Sequence, residues 1–68
     1  MREALTAALS GLTPREREAF VLVDLSGVPA AQAAESMDVA EATVRSLLTL
    51  ARRRLRTLLA AHVPEGRP

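Results

Sequence analysis

The sequence predicts an all-α fold, a four-helix domain with a C-terminal helix-turn-helix, from three observations. The composition is 49% hydrophobic with a single Phe, and the apolar residues are mainly Ala, Leu and Val, which favours an aliphatic helical core over a β-sandwich. Apolar residues recur at helical spacing in the last third of the chain. Start and stop signals divide the 68 residues into four segments, enough for one small domain.

The first two helices have recognisable ends. The first is predicted over residues 2–9, where the Ser-Gly pair at positions 10 and 11 ends it. Thr13 begins the second as the N-cap of a capping box, because Glu16 follows at the position that this motif requires. Gly27 is expected to end it as a left-handed cap. The side chains expected to face the core are Leu5, Ala8, Leu9, Phe20, Val21 and Leu25.

The third and fourth helices are predicted to form the helix-turn-helix. Pro29 opens a helix of about nine residues that ends at Met37. Asp38 follows in the left-handed turn position, which Asp tolerates better than most residues. The fourth helix is predicted to begin near Ala40 or Glu41 and to extend to about Ala61. Its buried stripe at helical spacing is Val44, Leu48, Ala51, Leu55 and Leu59.

The charges are segregated along the chain, although the formal net charge is only +1. Residues 1–44 hold three arginines and seven acidic residues, whereas residues 45–56 hold five arginines and no acidic residue. A basic helix on a mildly acidic domain is typical of proteins that bind a polyanion. The alternative interpretation is a solvated helix face without a ligand.

Several function classes are disfavoured by the composition. Cysteine is absent and His62 is the single histidine, so neither a disulfide framework nor a metal site is expected. No serine has a histidine positioned as its base, and no glycine-rich phosphate loop is present. We therefore expect no enzyme activity, no cofactor and no small-molecule substrate.

The domain organisation is simple. Residues 1–63 are assigned to the helical domain and residues 64–68 to a flexible tail. No run approaches the roughly 20 apolar residues of a membrane span, and the N-terminus lacks the apolar length of a signal peptide. We expect the chain to be part of a longer cytoplasmic protein with no membrane partner.

Several motifs occur together in this sequence. They are the Leu-Thr-Pro-Arg-Glu-Arg-Glu opening at 12–18, Gly27, Ala-Ala-Glu at 33–35, Glu-Ala-Thr-Val-Arg-Ser at 41–46 and Ala-Arg-Arg-Arg-Leu-Arg at 51–56. Together they resemble region 4 of the sigma-70 family of bacterial sigma factors, and most of all its extracytoplasmic-function (ECF) group. A LuxR-type response-regulator domain is similar at the opening and at the turn, but the ending at 51–56 favours region 4.

The resemblance implies a promoter-recognition domain. Its last helix would enter the major groove of the minus-35 promoter element, and the domain would also dock on the β flap of the RNA polymerase core. The implied function is sequence-directed transcription initiation, with an anti-sigma factor as a possible regulatory partner. On the resemblance alone, Arg15, Arg17 and Glu18 on the second helix are candidates for the polymerase contact.

The fourth helix supplies the candidate DNA contacts. Arg45 and Ser46 lie just after its start, where a recognition helix reaches base edges and phosphates. Arg52 and Arg53 are expected to bind backbone phosphates and so to position the helix without reading sequence. Arg54 and Arg56 are equally able to pair with the acidic residues of the preceding helices. The full set of candidates is Thr43, Arg45, Ser46, Thr49, Arg52 and Arg53.

Leu47 and Leu50 depart from the family pattern, because ECF sigma factors tend to have arginine at the first of these positions and often at the second. Each bidentate contact between arginine and guanine contributes about 1–3 kcal/mol of discrimination, so weaker base readout is expected. The leucines could form an exposed apolar ridge, widen the core of a rotated helix, or touch thymine methyl groups. The alternative function is therefore a degenerate region 4 that binds a partner protein or a second copy through a Leu47/Leu50 face.

Overall fold

The computed structural model describes residues 2–61, which are helical apart from short turns and contain no strand. The helices are α1 (Arg2–Ser10), α2 (Pro14–Phe20), α3 (Ala30–Met37) and α4 (Glu41–Ala60), and α2 continues directly into a π-helical segment (Val21–Leu25). This confirms the predicted all-α, four-helix class. The predicted tail at 64–68 and His62 lie outside the described residues. Within residues 2–61, no helix combines the length and the apolar content that crossing a membrane requires.

The start of α2 is the predicted capping box. The Thr13 backbone is extended, and its hydroxyl oxygen Oγ1 accepts a hydrogen bond from the Glu16 backbone N–H at 3.2 Å. The Glu16 carboxylate oxygen Oε1 accepts one in return from the Thr13 N–H at 3.0 Å. Pro14 occupies the first helical position, where its missing N–H leaves no unpaired donor. Two of the backbone donors at this helix end are thereby satisfied by side chains.

The prediction that Leu25 faces the core is wrong. Leu25 is 50% exposed, and the residues of this segment that pack against the core are Leu22 and Val23. The reason is the π-helical segment, in which the Ser26 N–H donates to the Val21 carbonyl five residues earlier at 2.9 Å. Each π turn takes up more residues than an α turn, so the side chains after Phe20 are rotated away from α-helical spacing.

The turn between α3 and α4 has the predicted left-handed residue. Asp38 has φ 60° and ψ 47°. Beyond it, the Val39 N–H donates to the Ala34 carbonyl, five residues earlier, at 3.0 Å, which is the hydrogen bond that defines a Schellman motif. The Val39 side chain packs against the core. Pro29, with an extended backbone, is the N-cap of α3, so this helix begins at Ala30, one residue later than predicted.

Helix α4 packs against all three other helices and contributes to two apolar clusters, one along each half of its length. The helix-turn-helix cluster lies between α2, α3 and the first half of α4 and comprises Ala19, Ala33, Ala34, Met37, Val44 and Leu48. The second cluster lies between α1, the α1–α2 connection and the second half of α4 and comprises Ala8, Leu12, Ala51 and Leu55. Alanine at five of these ten positions lets the helix backbones approach closely.

The buried stripe of α4 agrees with the sequence prediction at four of its five positions. Val44, Leu48, Ala51 and Leu55 are buried, whereas Leu59 is half-buried at the edge of the second cluster. This stripe fixes the rotation of α4 about its axis. The opposite face of the helix is therefore presented to solvent.

Candidate nucleic-acid interface

The solvent-facing side of α4 carries the predicted DNA contacts. Each of the six candidates is exposed: Thr43, Arg45, Ser46, Thr49, Arg52 and Arg53. They are brought to one side because the buried stripe of α4 occupies the other. The structure thus presents a basic helical face of the kind that binds a nucleic-acid groove.

The start of α4 carries an ion pair within the helix. Ala40 at the N-cap has no side-chain oxygen, and Glu41 supplies the acidic residue of the first turn, where the helix dipole favours negative charge. The Glu41 carboxylate binds the Arg45 guanidinium one turn later. The Arg45 side chain nevertheless remains 69% exposed, so it can reach a ligand at this end of the helix. The Thr49 hydroxyl donates to the Arg45 carbonyl at 3.0 Å.

Leu47 and Leu50 do not form a continuous exposed ridge. Leu47 is half-buried and packs against the helix-turn-helix cluster, as expected for a helix that buries a wider core. Leu50 is 42% exposed. It lies in a shallow groove on α4 that is lined by Leu50, Arg53, Arg54, Thr57 and Leu58.

Arg52 is held by a carboxylate from another element. Its Nε–H donates to Asp24 Oδ2 at 2.8 Å, and its Nη2–H donates to Asp24 Oδ1 at 2.7 Å. These hydrogen bonds lower the pKa of the Asp24 carboxyl and raise the pKa of Arg52, while partial burial opposes both shifts. The pair links the π-helical segment to the basic face of α4. Asp24 was not among the residues that the sequence singled out.

Arg54 is also paired, as the sequence allowed. Its Nε lies 3.2 Å from Glu16 Oε1, and its Nη2–H donates to Glu16 Oε2 at 3.5 Å. The Thr13 N–H lowers the pKa of the Glu16 carboxyl most, Arg54 lowers it further, and burial opposes both. Between residues 2 and 61, Arg53 and Arg56 of α4 make no ion pair.

The family comparison agrees with this architecture. The family model described as Sigma-70, region 4, matches residues 2–55 of the chain. The chain belongs to this family. Its membership supports recognition of the minus-35 promoter element by a sigma factor, together with interaction with RNA polymerase, and makes the chain a DNA-binding regulatory domain. No solved structure gives a significant match.

In this region 4 chain, the candidates for polymerase contact lie on α2. The Arg15 Nη1–H donates to the Met37 carbonyl at 3.0 Å and lies 4.0 Å from Glu18 Oε1, so Arg15 helps to cap the end of α3. Arg17 is half-buried and Glu18 is exposed. Their role in binding polymerase stays a prediction.

The region 4 chain shows no candidate metal centre in the part that is described. Among residues 2–61, no three side chains of the His, Cys, Asp or Glu types come together in a way that could hold an ion. The exposed side chains of the α4 face are mainly hydrogen-bond donors and positive charges, which suit phosphate oxygens and base edges.

Proposed function

We propose that this chain is region 4 of an ECF sigma factor and that α4 reads the minus-35 element from the major groove. The observation that carries the proposal is the exposed basic face of α4, which the preceding turn and α3 hold in a helix-turn-helix arrangement. The sequence motifs at 12–18 and 51–56 support the ECF assignment. Because transcription takes place in the bacterial cytoplasm, we infer a cytoplasmic location.

The proposed contacts divide by their position on α4. Arg45 and Ser46 follow the helix start and would reach base edges and nearby phosphates. Thr43 and Thr49 flank them on the exposed face. The phosphate contacts further along the helix would come from Arg52 and Arg53, which position the helix without reading sequence.

Protein partners are proposed on a different surface. The α2 residues Arg15, Arg17 and Glu18 would contribute to docking on the β flap of the polymerase core. Of these, Arg15 hydrogen-bonds the end of α3 and lies 4.0 Å from Glu18, whereas Arg17 makes no ion pair within residues 2–61. An anti-sigma factor is proposed as a regulator that would compete with promoter or polymerase for region 4.

The test is selection of DNA by the chain from duplexes randomised over the minus-35 element, followed by binding measurements over a salt series. We expect an enriched motif and a slope of log K against log salt near −3 to −4, since each phosphate contact adds about −0.9. Arg45→Ala is expected to weaken binding by about 1–3 kcal/mol and to relax preference at one base position. No enriched motif for the unmodified chain would contradict promoter reading.

The matched control for Arg45→Ala is Arg56→Ala. Arg56 is an exposed α4 arginine outside the proposed contacts, and it makes no ion pair within residues 2–61. The two variants lose the same charge and the same side-chain volume. Equal relaxation of base preference in both would show that general charge, rather than a base contact at Arg45, determines the result.

A second candidate function rests on the exposed Leu50. Because Leu47 packs against the core, the proposed protein-interaction face is reduced to Leu50 and the groove around it. Size-exclusion chromatography of the same chain separates the two candidates. Elution as a dimer together with a selection that yields no motif would favour the interaction module, whereas a monomer with an enriched motif would favour the promoter reader.

A further inference from the structure

The pairing between Asp24 and Arg52 differs from that of Arg45, and it is tighter than the pairing of Arg54 with Glu16, whose contacts measure 3.2 and 3.5 Å. Arg45 binds Glu41 on its own helix, whereas Arg52 binds a carboxylate 28 residues earlier in the chain. Both guanidinium contacts are short, at 2.8 and 2.7 Å, and they engage one edge of the fork formed by Nε and Nη2. Such a two-bond contact fixes the plane of the guanidinium as well as its distance.

The same contact leaves the other edge of the guanidinium available. Arginine has five N–H donors, and the two that Asp24 uses lie on the Nε side. The N–H groups of Nη1 and the second N–H of Nη2 form the remaining edge, whose geometry also matches two phosphate oxygens. Half of the Arg52 side chain is exposed, at 51%, while the Asp24 side chain is 23% exposed.

The π-helical segment is what brings Asp24 to this place. The segment directs Leu22 and Val23 into the core, and Asp24 follows next in the chain at the edge that borders α4. The winding of the π-helical segment therefore accounts for two features. Leu25 faces solvent, and the Asp24 carboxylate reaches Arg52.

We propose that Asp24 is a positioning residue for DNA binding, which holds the Arg52 guanidinium with its free edge ready for a backbone phosphate. The inference rests on the proposed function, because it assigns a phosphate contact to the same face of α4. Because Asp24 already restricts the Arg52 side chain before DNA binds, the side chain loses less conformational entropy when it contacts a phosphate. Arg53, which makes no ion pair within residues 2–61, has no such support.

Asp24 also carries a negative charge, which by itself repels DNA. Removing the carboxylate therefore has two opposite effects on affinity, and affinity alone does not separate them. The salt slope does separate them, because it reports the number of phosphates neutralised. A matched control for the charge is Glu35→Gln, since Glu35 is an exposed α3 carboxylate without an ion pair in the described part of the chain.

The experiment measures binding of the full chain to its selected duplex between 50 and 200 mM salt (about the range over which the slope is resolved). Asp24→Asn is expected to reduce the magnitude of the slope by about 0.9, the loss of one phosphate contact. Arg52→Gln is expected to give the same reduction, and the double variant no further one. Asp24→Glu is expected to restore part of the slope, and Glu35→Gln to leave it unchanged.

Three results would overturn the inference. An unchanged slope in Asp24→Asn would show that Arg52 needs no positioning, and a steeper slope would show that Asp24 competes with phosphate for Arg52. If Asp24→Asn reduces the salt slope of the Arg52→Gln variant as much as it reduces that of the unmodified chain, Asp24 does not act through Arg52. If the unmodified chain shows no salt-dependent binding at all, the proposed function fails and this inference fails with it, an outcome distinct from the other three.

Discussion

At the scale of single residues, Glu16 has two structural roles. Its carboxylate accepts the Thr13 N–H at the start of α2, and it also pairs with Arg54 on α4. Glu16 is only 3% exposed, so both partners compensate a charge that is largely removed from water. The residue therefore joins the cap of one helix to the flank of another.

The lowered pKa of Glu16 predicts how stability depends on pH. Because the folded-state pKa lies below the unfolded value, the contribution to stability is present above the ordinary glutamate pKa and is lost as pH falls through the folded pKa. We expect Glu16→Gln to be less stable than the unmodified chain by about 1 kcal/mol at pH 7. The difference should shrink below about pH 4. Urea unfolding between pH 7 and pH 3 measures it.

Glu35→Gln is the control for this measurement, because Glu35 is exposed. It should follow the pH dependence of the unmodified chain. A difference between Glu16→Gln and the unmodified chain that stays constant down to pH 3 would contradict the assignment of the titration to Glu16.

Residue-scale signals were readable from the sequence where the partners are close along the chain. The capping box joins Thr13 to Glu16 over three residues, and the left-handed turn at Asp38 depends on that residue itself. The partner of Glu16 on α4 could not be assigned, because Arg54 lies 38 residues away and adjacent arginines were equally available.

At the scale of elements, the second helix shows where helical spacing fails as a predictor. Its first part is an α-helix with the predicted cap, but its last five residues form the π-helical segment. The apolar residues Val21, Leu22, Val23 and Leu25 fit more than one helical face. Packing against α3 and α4 selects Leu22 and Val23, and the backbone winds accordingly.

The π-helical segment predicts unequal effects of two identical substitutions. Leu22→Ala removes a side chain that packs against the helix-turn-helix cluster and should cost about 1–2 kcal/mol of unfolding free energy. Leu25→Ala removes one that is half exposed and should change stability by no more than about 0.5 kcal/mol. Denaturant unfolding of both variants provides the comparison. The opposite order would support α-helical winding of this segment.

At the scale of the whole molecule, α4 is the element that both apolar clusters share. Val44 and Leu48 belong to the cluster with α3, whereas Ala51 and Leu55 belong to the cluster with α1. The solvent-exposed side of α4 therefore lies opposite packed residues along most of the helix. A domain of this size buries little apolar surface, so neither cluster is expected to stay folded without the other. The two clusters are therefore expected to unfold together.

This arrangement predicts that a substitution that destabilises one cluster also destabilises the other. Leu55→Ala should lower the unfolding free energy by about 2–5 kcal/mol, because Leu55 is buried in the second cluster. Hydrogen exchange of the most protected amides in α3 should accelerate in proportion, since α3 packs on the same α4. Faster exchange confined to α1 and the end of α4 would show instead that the clusters open separately.

The sequence by itself determined the helical class, the start of α2, the end of α3, most of the buried stripe of α4 and the basic character of its other face. These features follow from residues within one or two turns of each other, whose spacing and backbone preferences act locally. Only the tertiary structure decided that Leu47 packs on the core while Leu50 is exposed, that Asp24 holds Arg52, and that Leu25 faces solvent. These outcomes depend on how α4 is rotated against α2 and the π-helical segment, and that rotation is set by packing between residues far apart in the chain.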